Sequence, residues 1–295
     1  NAERLGSKCV ELRDVIDVSE LGIAFTSSVV AQFEKTGLTS TDRDFFAKHG
    51  FLNLGQVLDG SELARFQTMF DHDLKTLSYF WHKYGYRQYA NYEALISSPD
   101  FDDLIRHPKI YPRIEALMGD PLCFGEIGLR LMNPYQGEAH QDWHRDRAHW
   151  LDHPLHMDYI QLMVYLTDVN EEDHCISLSP ESVSEPILKN KEAQLKRGGE
   201  YHLHGPAGTC ALFNASLLHT ATTRPTENER RTVQIYYGHR NRPPLANDST
   251  IPPAFWRDSE DAETRGFYGV LNERSRLYLT AFPAGKANDS RRRNN

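Results

Sequence analysis

The spacing of hydrophobic residues changes its period about two fifths of the way along the chain. Between residues 41 and 119, apolar side chains such as Leu63, Phe66 and Phe70 recur at helical spacing. After Pro121 they alternate with polar ones, or run almost continuously, as they do in β-strands. Helices followed by consecutive strands predict a β-sandwich or barrel with helices packed outside it.

Cap and turn signals divide the helical part. The sequence TDRD at 41–44 predicts a capping box at the start of a helix, and Gly50 predicts its end. Asp59 is expected to cap a second helix after the strand-like run FLNLGQVL. Two shorter helices are expected before the strands, broken at Pro108 and stopped at Gly119.

Five segments after residue 121 predict strands: FGEIGLRLMNP, DYIQLMVYLTDV, CISLSP, GTCALFNASLLH and RTVQIYYGHR. The second is almost entirely apolar, which is typical of a strand buried on both faces. Beyond residue 241 the chain is proline-rich and irregular, and DAETRGFYGVLNERSRLYLTAF then predicts a helix. We see no repeat or linker and expect one domain over 1–295, with helices in 1–120, the β core in 121–240 and an extension in 241–295.

Charge and cysteine content narrow the functional class. The chain has 33 basic and 41 acidic residues, a formal charge of −8, whereas nucleic-acid binders carry a basic face. The basic run at 291–293 is expected to be a solvated tail. No apolar run approaches the roughly 20 residues of a membrane span. Four single cysteines indicate reduced thiols, so we expect a cytoplasmic protein with neither nucleic-acid nor membrane partners.

The segment EAHQDWHRDRAHW contains one three-residue pattern twice. His140 and Asp142 form the first His-x-Asp pair, and His144 and Asp146 form the second. Two residues that are two apart on a strand point to the same side, which suits two ligands of one metal ion. Both pairs fall on even positions, so alternation along a strand does not choose between them.

Two later residues could complete a metal site. His219 follows an apolar strand, and Arg230 comes eleven residues after it, at the start of the next strand. Two histidines and one carboxylate on one face of a metal leave three open positions, as in non-haem Fe(II) oxygenases. The planar fork of an arginine is suited to a two-point grip on a co-substrate carboxylate.

These features together resemble the phytanoyl-CoA dioxygenase superfamily. The resemblance rests on TDRDFFAKHGFLNLGQVLDGSELARF, the His-x-Asp motif, the YLTDV strand, and His219 followed by Arg230, and it covers roughly residues 41–238. It implies a mainly β fold with flanking helices, namely a double-stranded β-helix of jelly-roll or cupin-like type. It also implies an enzyme that uses Fe(II), 2-oxoglutarate and O2.

The resemblance also implies roles for individual residues. Members often read Trp-His-x-Asp-x-x-x-Trp, and residues 143–150 match that frame. We therefore favour His144, Asp146 and His219 as the metal ligands, although other members carry a His-Gln-Asp pair that His140 would match. No catalytic residue is expected beyond these ligands. A carboxylate at position 146 implies hydroxylation or desaturation rather than halogenation.

The co-substrate contacts depart from the family pattern at one position. The resemblance implies that Arg230 binds the 5-carboxylate of 2-oxoglutarate. Members commonly have a serine two residues after the distal histidine, where this chain has Ala221. We therefore expect Thr220 or Thr222 to make the contact.

Substrate contacts are expected from Arg130, on the strand before the metal motif, and from Trp150 and His149 just after it. Without a basic patch for phosphates, we favour a small metabolite over a coenzyme A thioester. The reaction would convert 2-oxoglutarate to succinate and CO2. Iron binding should weaken at acidic pH, because the ligands must be deprotonated.

Two other functions stay open on sequence alone. One is a cupin-like metalloenzyme that does not use 2-oxoglutarate, and the other is a non-catalytic β-barrel binding protein. Arg230 distinguishes the first, because such an enzyme has no need of that cation. The sequence does not distinguish a monomer from a homodimer.

Overall fold

The strand segments form two antiparallel sheets that pack face to face. The computed structural model describes residues 37–119 and 121–281. The predictions for Cys9 and for the basic run at 291–293 lie outside those residues. The strands are β1 Phe51–Gln56, β2 His82–Tyr84, β3 Gln88–Asn91, β4 Leu122–Met132, β5 Tyr159–Tyr165, β6 Cys175–Ser179, β7 Tyr201–Leu203, β8 Thr209–Asn214, β9 Leu218–Thr222 and β10 Arg230–His239.

Seven strands form a large sheet in the order β1-β8-β5-β10-β4-β3-β2, and three form a small sheet in the order β7-β6-β9. The helices are α1 Ser40–His49, α2 Gly60–Thr76, α3 Ala94–Ser97, α4 Asp102–Ile105, α5 Tyr111–Met118, α6 Lys191–Gly198, α7 Pro253–Trp256, α8 Ala262–Phe267 and α9 Glu273–Ala281. No helix among the described residues has both the length and the apolar character to cross a bilayer.

The large sheet is covered on both faces, which explains the continuous apolar sequence of β5. Ile160, Leu162 and Val164 belong to one core with the helices, whereas Met163 and Tyr165 belong to a second core with the small sheet. All seven residues of β5 are buried. The predicted strand with two buried faces is therefore confirmed, as is the mainly β class with outer helices.

The space between the two sheets is apolar at one end and polar at the other. The polar end faces inward with Glu126 on β4, Gln161 on β5, and Gln234 and Tyr236 on β10. These positions alternate with the apolar positions that face the helices, such as Ile235. The same alternation that builds the core thus leaves a polar cavity at one end.

Three predicted boundaries were wrong. Helix α1 begins two residues earlier than expected, since Thr39 accepts a hydrogen bond from the Asp42 backbone and its own N–H donates to that carboxylate. The same T-x-x-D spacing occurs twice here, and the buried Leu38 fixes the chain entry at the earlier one. Gly50 ends the helix with φ 76°, as expected.

The predicted strand GTCALFNASLLH is in fact two strands in different sheets. The side chain of Asn214 accepts hydrogen bonds from the backbone and hydroxyl of Ser216, which turns the chain after β8. His219 therefore lies near the start of β9 in the small sheet rather than at the end of the apolar strand. This turn brings His219 across to the other wall of the cavity.

The predicted C-terminal helix is likewise two helices, α8 and α9. The side chain of Asn272 accepts from the Ser275 backbone and starts the second helix. Short helices at Asp102 and Tyr111 and the stop at Gly119 agree with the sequence. The division into 1–120, 121–240 and 241–295 stays a prediction.

A buried carboxylate ties helix α2 to the β2–β3 hairpin. Asp73 is fully buried and accepts hydrogen bonds from Trp81 Nε1 at 2.7 Å, Asn91 Nδ2 at 2.8 Å and Ser98 Oγ at 2.7 Å. Ser97 donates to it as well. The hairpin borders the polar cavity, so Asp73 positions part of the cavity rim.

Replacing Asp73 with Asn should lower the free energy of unfolding by about 1–3 kcal/mol, because an amide N–H₂ would face the donors of its neighbours. Chemical denaturation measures the change. Asp44→Asn, at an exposed position on α1, is the control and should change stability by less than about 0.5 kcal/mol. Equal losses in the two variants would contradict this role of Asp73.

Candidate metal centre and cavity

Three side chains converge at the polar end of the cavity. His144 Nε2 lies 3.5 Å from Asp146 Oδ1, and His219 Nε2 lies 3.3 Å from Asp146 Oδ2. One ligand atom from each residue lies within 4.8 Å of the others, which no other trio of such side chains achieves in the described ranges. Two imidazoles and one carboxylate facing a common point form a donor set that suits a transition metal.

The backbone holds the two histidines opposite each other. The His144 N–H donates to the His219 carbonyl, and the reverse bond also forms, each at 2.9 Å. The Asp146 N–H donates to the Ala215 carbonyl. The motif therefore lies in a loop pinned along β9, rather than on a strand of its own.

Hydrogen bonds also set which ring nitrogen faces the shared point. His144 Nδ1 lies 2.7 Å from the Asp142 carbonyl, and His219 Nδ1 lies 2.9 Å from the Leu217 carbonyl. Since a carbonyl only accepts, each Nδ1 carries the proton and leaves the Nε2 lone pair free. Both free lone pairs point to the side of Asp146, so the residues fit a bound cation.

The electrostatics of the trio favour an ionised carboxylate. Burial alone would raise the pKa of Asp146, but the charge and hydrogen bond of His219 and the hydroxyl of Tyr236 bring it well below its usual range. Burial lowers the pKa of His144, with a further contribution from His219. Burial would also lower the pKa of His219, but Asp146 outweighs it and raises that pKa.

Tyr236 supports the carboxylate from the large sheet. Its hydroxyl donates to Asp146 Oδ2 at 2.6 Å, leaving Oδ1 free. Burial, followed by the nearby Asp146 and Glu126 carboxylates, raises the pKa of Tyr236 well above its usual value, so the hydroxyl keeps its proton. The sequence predicted only that one of Tyr236 and Tyr237 faces inward. Tyr237 instead donates to the Ile105 carbonyl on the helix side.

Replacing Tyr236 with Phe should weaken Fe(II) binding about 10- to 100-fold, the usual effect of losing a hydrogen bond to a ligand. Anaerobic competition against a chelator measures the affinity. Tyr237→Phe removes an equally buried hydroxyl one residue away and should leave the affinity unchanged. The role of Tyr236 would be contradicted if both variants bound the metal like the wild type.

The first His-x-Asp pair has different surroundings. The His140 ring packs against the Tyr86 ring at a tilt of 34° with centroids 4.1 Å apart, and the His140 backbone pairs with Thr223. Asp142 lines the cavity, and its backbone N–H donates to Thr220 Oγ1. The structure brings neither side chain into the trio with His219. The choice of His144 and Asp146 over this pair stays a prediction that the geometry supports.

Arg230 is a buried cation without a partner. It begins β10 and is 1% exposed, yet none of its three guanidinium nitrogens has a hydrogen-bond partner. By alternation it shares a face of β10 with Gln234 and Tyr236, which line the cavity, although Arg230 itself lies beyond the lining residues. Burial lowers the pKa of Arg230, and Tyr165 and Cys175 only partly offset this. An uncompensated buried charge is costly, so the site calls for an anion.

Of the residues at and beside the position where the family commonly has serine, some line the cavity and one does not. Thr220 and Ala221 line the cavity. Thr222 Oγ1 lies 2.6 Å from the Ser177 hydroxyl and 3.1 Å from Gln141 Nε2, and Thr222 does not line the cavity. The geometry supports a contact from Thr220 and gives none to Thr222.

Of the three expected substrate residues, the structure places one at the cavity. Arg130 lines it, whereas His149 and Trp150 do not. His149 Nε2 lies 3.3 Å from Glu181. The Trp150 ring packs under the guanidinium of Arg242 at 4.7 Å. A substrate contact from His149 or Trp150 therefore finds no support in the structure.

The cavity itself has a volume of about 380 Å³. Its walls carry Glu126, Gln161 and Asp248, which sequence reasoning missed. Alternation along the strands places Glu126 on the same face of β4 as Arg130, and Gln161 on the same face of β5 as Tyr165. Alternation alone does not say which of the two faces of a strand lines a cavity. Asp248 lies in the irregular segment after β10, where no pattern predicts direction.

Comparison with known proteins identifies the fold and the family. A family model described as phytanoyl-CoA dioxygenase matches residues 46–232. A relative named L-proline trans-4-hydroxylase, from Streptomyces griseoviridis, is 25% identical over 201 residues, which cover 53% of this chain and 74% of the relative. These two matches confirm the predicted resemblance, the dioxygenase class and the expected set of iron, 2-oxoglutarate and O2.

Two solved structures show the same fold. EctD from S. alaskensis with 2-oxoglutarate and 5-hydroxyectoine matches with TM-score 0.59 and 17% identity, covering 77% of this chain and 86% of that one. The non-heme alpha ketoglutarate dependent carbocyclase SnoK from nogalamycin biosynthesis matches with TM-score 0.58 and 16% identity, covering 68% and 84%. They confirm the double-stranded β-helix fold.

Proposed function

Because this chain belongs to the phytanoyl-CoA dioxygenase family, we propose that it hydroxylates an unactivated C–H bond of a small metabolite. The overall reaction consumes the substrate, 2-oxoglutarate and O2, and it yields the hydroxylated substrate, succinate and CO2. One oxygen atom enters the product and the other enters succinate.

The observation that carries this proposal is the unpartnered guanidinium of Arg230. A cation that is 1% exposed with no hydrogen-bond partner is costly unless an anion arrives. The 5-carboxylate of 2-oxoglutarate supplies two acceptor oxygens that match the guanidinium fork. A cupin-like enzyme without this co-substrate has no use for such a cation.

The residues suited to hold iron are His144, Asp146 and His219. Iron, when bound, supplies the O2-dependent oxidation of a C–H bond and leaves the protein to orient the substrate. The chain contributes by keeping Asp146 ionised through Tyr236, and by presenting both Nε2 lone pairs. Thr220 lines the cavity, which supports its proposed contact with the co-substrate.

The cavity supports a small substrate. About 380 Å³ falls near the lower end of ligand pockets, and the co-substrate must share it. Its walls include the carboxylates of Glu126, Asp142, Asp146 and Asp248, which would repel the phosphates of coenzyme A. The relative named L-proline trans-4-hydroxylase also supports hydroxylation of a small molecule.

The three described cysteines, Cys123, Cys175 and Cys210, are buried free thiols. Such thiols suit a reducing compartment, which supports the proposed cytoplasmic location.

Anaerobic addition of Fe(II) and then 2-oxoglutarate tests the proposed function. We expect a weak visible charge-transfer band that appears only when both are present, and succinate after O2 is admitted. Succinate itself, in place of 2-oxoglutarate, should give no band. A protein that binds Fe(II) tightly but gives neither the band nor succinate would contradict the proposal.

A further inference from the structure

We infer that the substrate is a small amino acid in its zwitterionic form, with its carboxylate bound by Arg130 and its ammonium group by Glu126. This inference rests on the proposed function and concerns the part of the cavity wall that does not belong to the metal centre. The evidence is that several charged and polar side chains of the cavity wall lack a partner.

Arg130 is an anion-binding group that lacks an anion. Its Nε is buried without a partner, and its other nitrogens donate only to neutral groups, the hydroxyl of Tyr92 and the Gln88 side chain. Its guanidinium stacks on the Tyr84 ring at 4.4 Å. No ion pair to Arg130 forms within the described chain. The guanidinium is thus held in place by aromatic and amide groups, with its charge free for a ligand.

Glu126 is the complementary group. It is 5% exposed and lines the cavity. Burial raises the pKa of Glu126 to about 8. The positive charge of Arg130 lowers this pKa, and the charge and hydrogen bond of Asp248 raise it further. Glu126 is buried and Asp248 is exposed. Their carboxylates repel each other once both are ionised, so a cation placed between them would stabilise both. The acidic pair therefore suits an ammonium group.

Gln161 adds an independent sign of a missing ligand. It is 1% exposed and lines the cavity, and its Oε1 has no hydrogen-bond partner. Its Nε2 already donates to Gln234 Oε1 at 3.1 Å. Gln161 and Glu126 pair with the same residue of β10, Tyr236, from opposite sides. An N–H donor in the cavity would satisfy the open oxygen.

The two opposite charges are close enough to interact but are not joined. Glu126 and Arg130 are four residues apart on one face of β4, so their Cα atoms are about 13 Å apart at 3.3 Å per residue. Both long side chains extend from there to line the same cavity. The charge of Arg130 acts on Glu126, yet no ion pair forms between them. A ligand with one positive and one negative end would fill this gap and compensate both charges. A monovalent anion or cation would compensate one and leave the other.

Binding to the anaerobic enzyme loaded with Fe(II) and 2-oxoglutarate tests the inference. The proteinogenic L-amino acids are titrated singly, by calorimetry and by the change that each causes in the charge-transfer band. Each amino acid that binds is then compared with its N-acetyl derivative and its amide. We expect at least one to bind, and each blocked form to bind at least about 30-fold more weakly, because one buried charge then stays unpaired.

Variants assign the two ends. Arg130→Met should lose discrimination against the amide, and Glu126→Gln should lose discrimination against the N-acetyl form. Arg130→Lys should restore part of the affinity. The control is Arg231→Met, whose side chain forms ion pairs with Asp71 and Glu229 away from the cavity. Melting temperatures show whether each variant is folded.

Three results would overturn the inference. The first is that the blocked forms bind as tightly as the parent amino acids. The second is that the Arg130 and Glu126 variants discriminate like the wild type. The third is that no amino acid binds although the band forms with 2-oxoglutarate. In each case the proposed function would stand and the zwitterion would be wrong. Absence of the band with iron bound would instead reject the proposed function itself.

Discussion

Replacing Arg230 with Met should abolish 2-oxoglutarate binding while leaving the protein at least as stable as the wild type. The loss should be at least about 30-fold in affinity, since removing one partner of a buried charged pair costs about 2–5 kcal/mol. Calorimetric titration of the Mn(II)-loaded protein measures it without turnover. Succinate formation should fall in parallel.

The expected effect on stability has the opposite sign, and this makes the prediction specific. In the ligand-free protein, the three guanidinium nitrogens of Arg230 are buried without partners. Methionine has a similar length and carries no charge to desolvate, so the ligand-free variant loses an unfavourable interaction. Wild-type protein should gain thermal stability when 2-oxoglutarate is added with metal, and the variant should not.

Arg231→Met is the matched control. It lies one residue further along β10 and faces the opposite way, pairing with Asp71 and Glu229. It should keep its affinity for 2-oxoglutarate. If Arg230→Met bound 2-oxoglutarate normally and Arg130→Met did not, the co-substrate would lie at Arg130 and both carboxylate assignments would be exchanged.

The two copies of His-x-Asp should respond differently to the same substitution. His144→Ala and Asp146→Ala should each reduce Fe(II) binding and succinate formation by at least about 100-fold, because even a residue behind a ligand is worth 10- to 100-fold. His140→Ala and Asp142→Ala should retain most of both. Chelator competition and succinate assays of the four variants provide the comparison.

The two motifs serve as controls for each other in these four substitutions. The residues are identical in type, separated by four positions, and all four line the same cavity. His140 contributes a ring contact to Tyr86, so its loss should affect the hairpin rather than the metal. Loss of iron only in His140→Ala would place the metal at the first motif instead.

The fold was predictable where one physical rule dominated. Strand β5 had to be continuous and apolar to be buried between helices and the small sheet, so its sequence was unambiguous. The split after Asn214 was not predictable, because an apolar run with one asparagine fits both an uninterrupted strand and a turn. The start of α1 was predicted two residues too late for a similar reason, because two overlapping cap signals fit the sequence.

Only part of the candidate site could be predicted from the sequence. Motif spacing gave two candidate His-x-Asp pairs with His219, and the family resemblance favoured His144 and Asp146, which the loop along β9 brings together with His219. Tyr236 was not assigned, because alternation leaves its direction open until the sheets are paired. Trp150 and His149 follow the motif closely in sequence, but the chain turns away from the cavity after Arg147, where Asp158 forms an ion pair.

The most direct test is a crystal structure of the enzyme grown anaerobically with Fe(II) and 2-oxoglutarate. We expect the iron to be bound by His144 Nε2, Asp146 Oδ1 and His219 Nε2, with Tyr236 on the second carboxylate oxygen. The 5-carboxylate of 2-oxoglutarate should lie on the guanidinium of Arg230. Iron bound by His140 and Asp142, or a 5-carboxylate remote from Arg230, would contradict this arrangement.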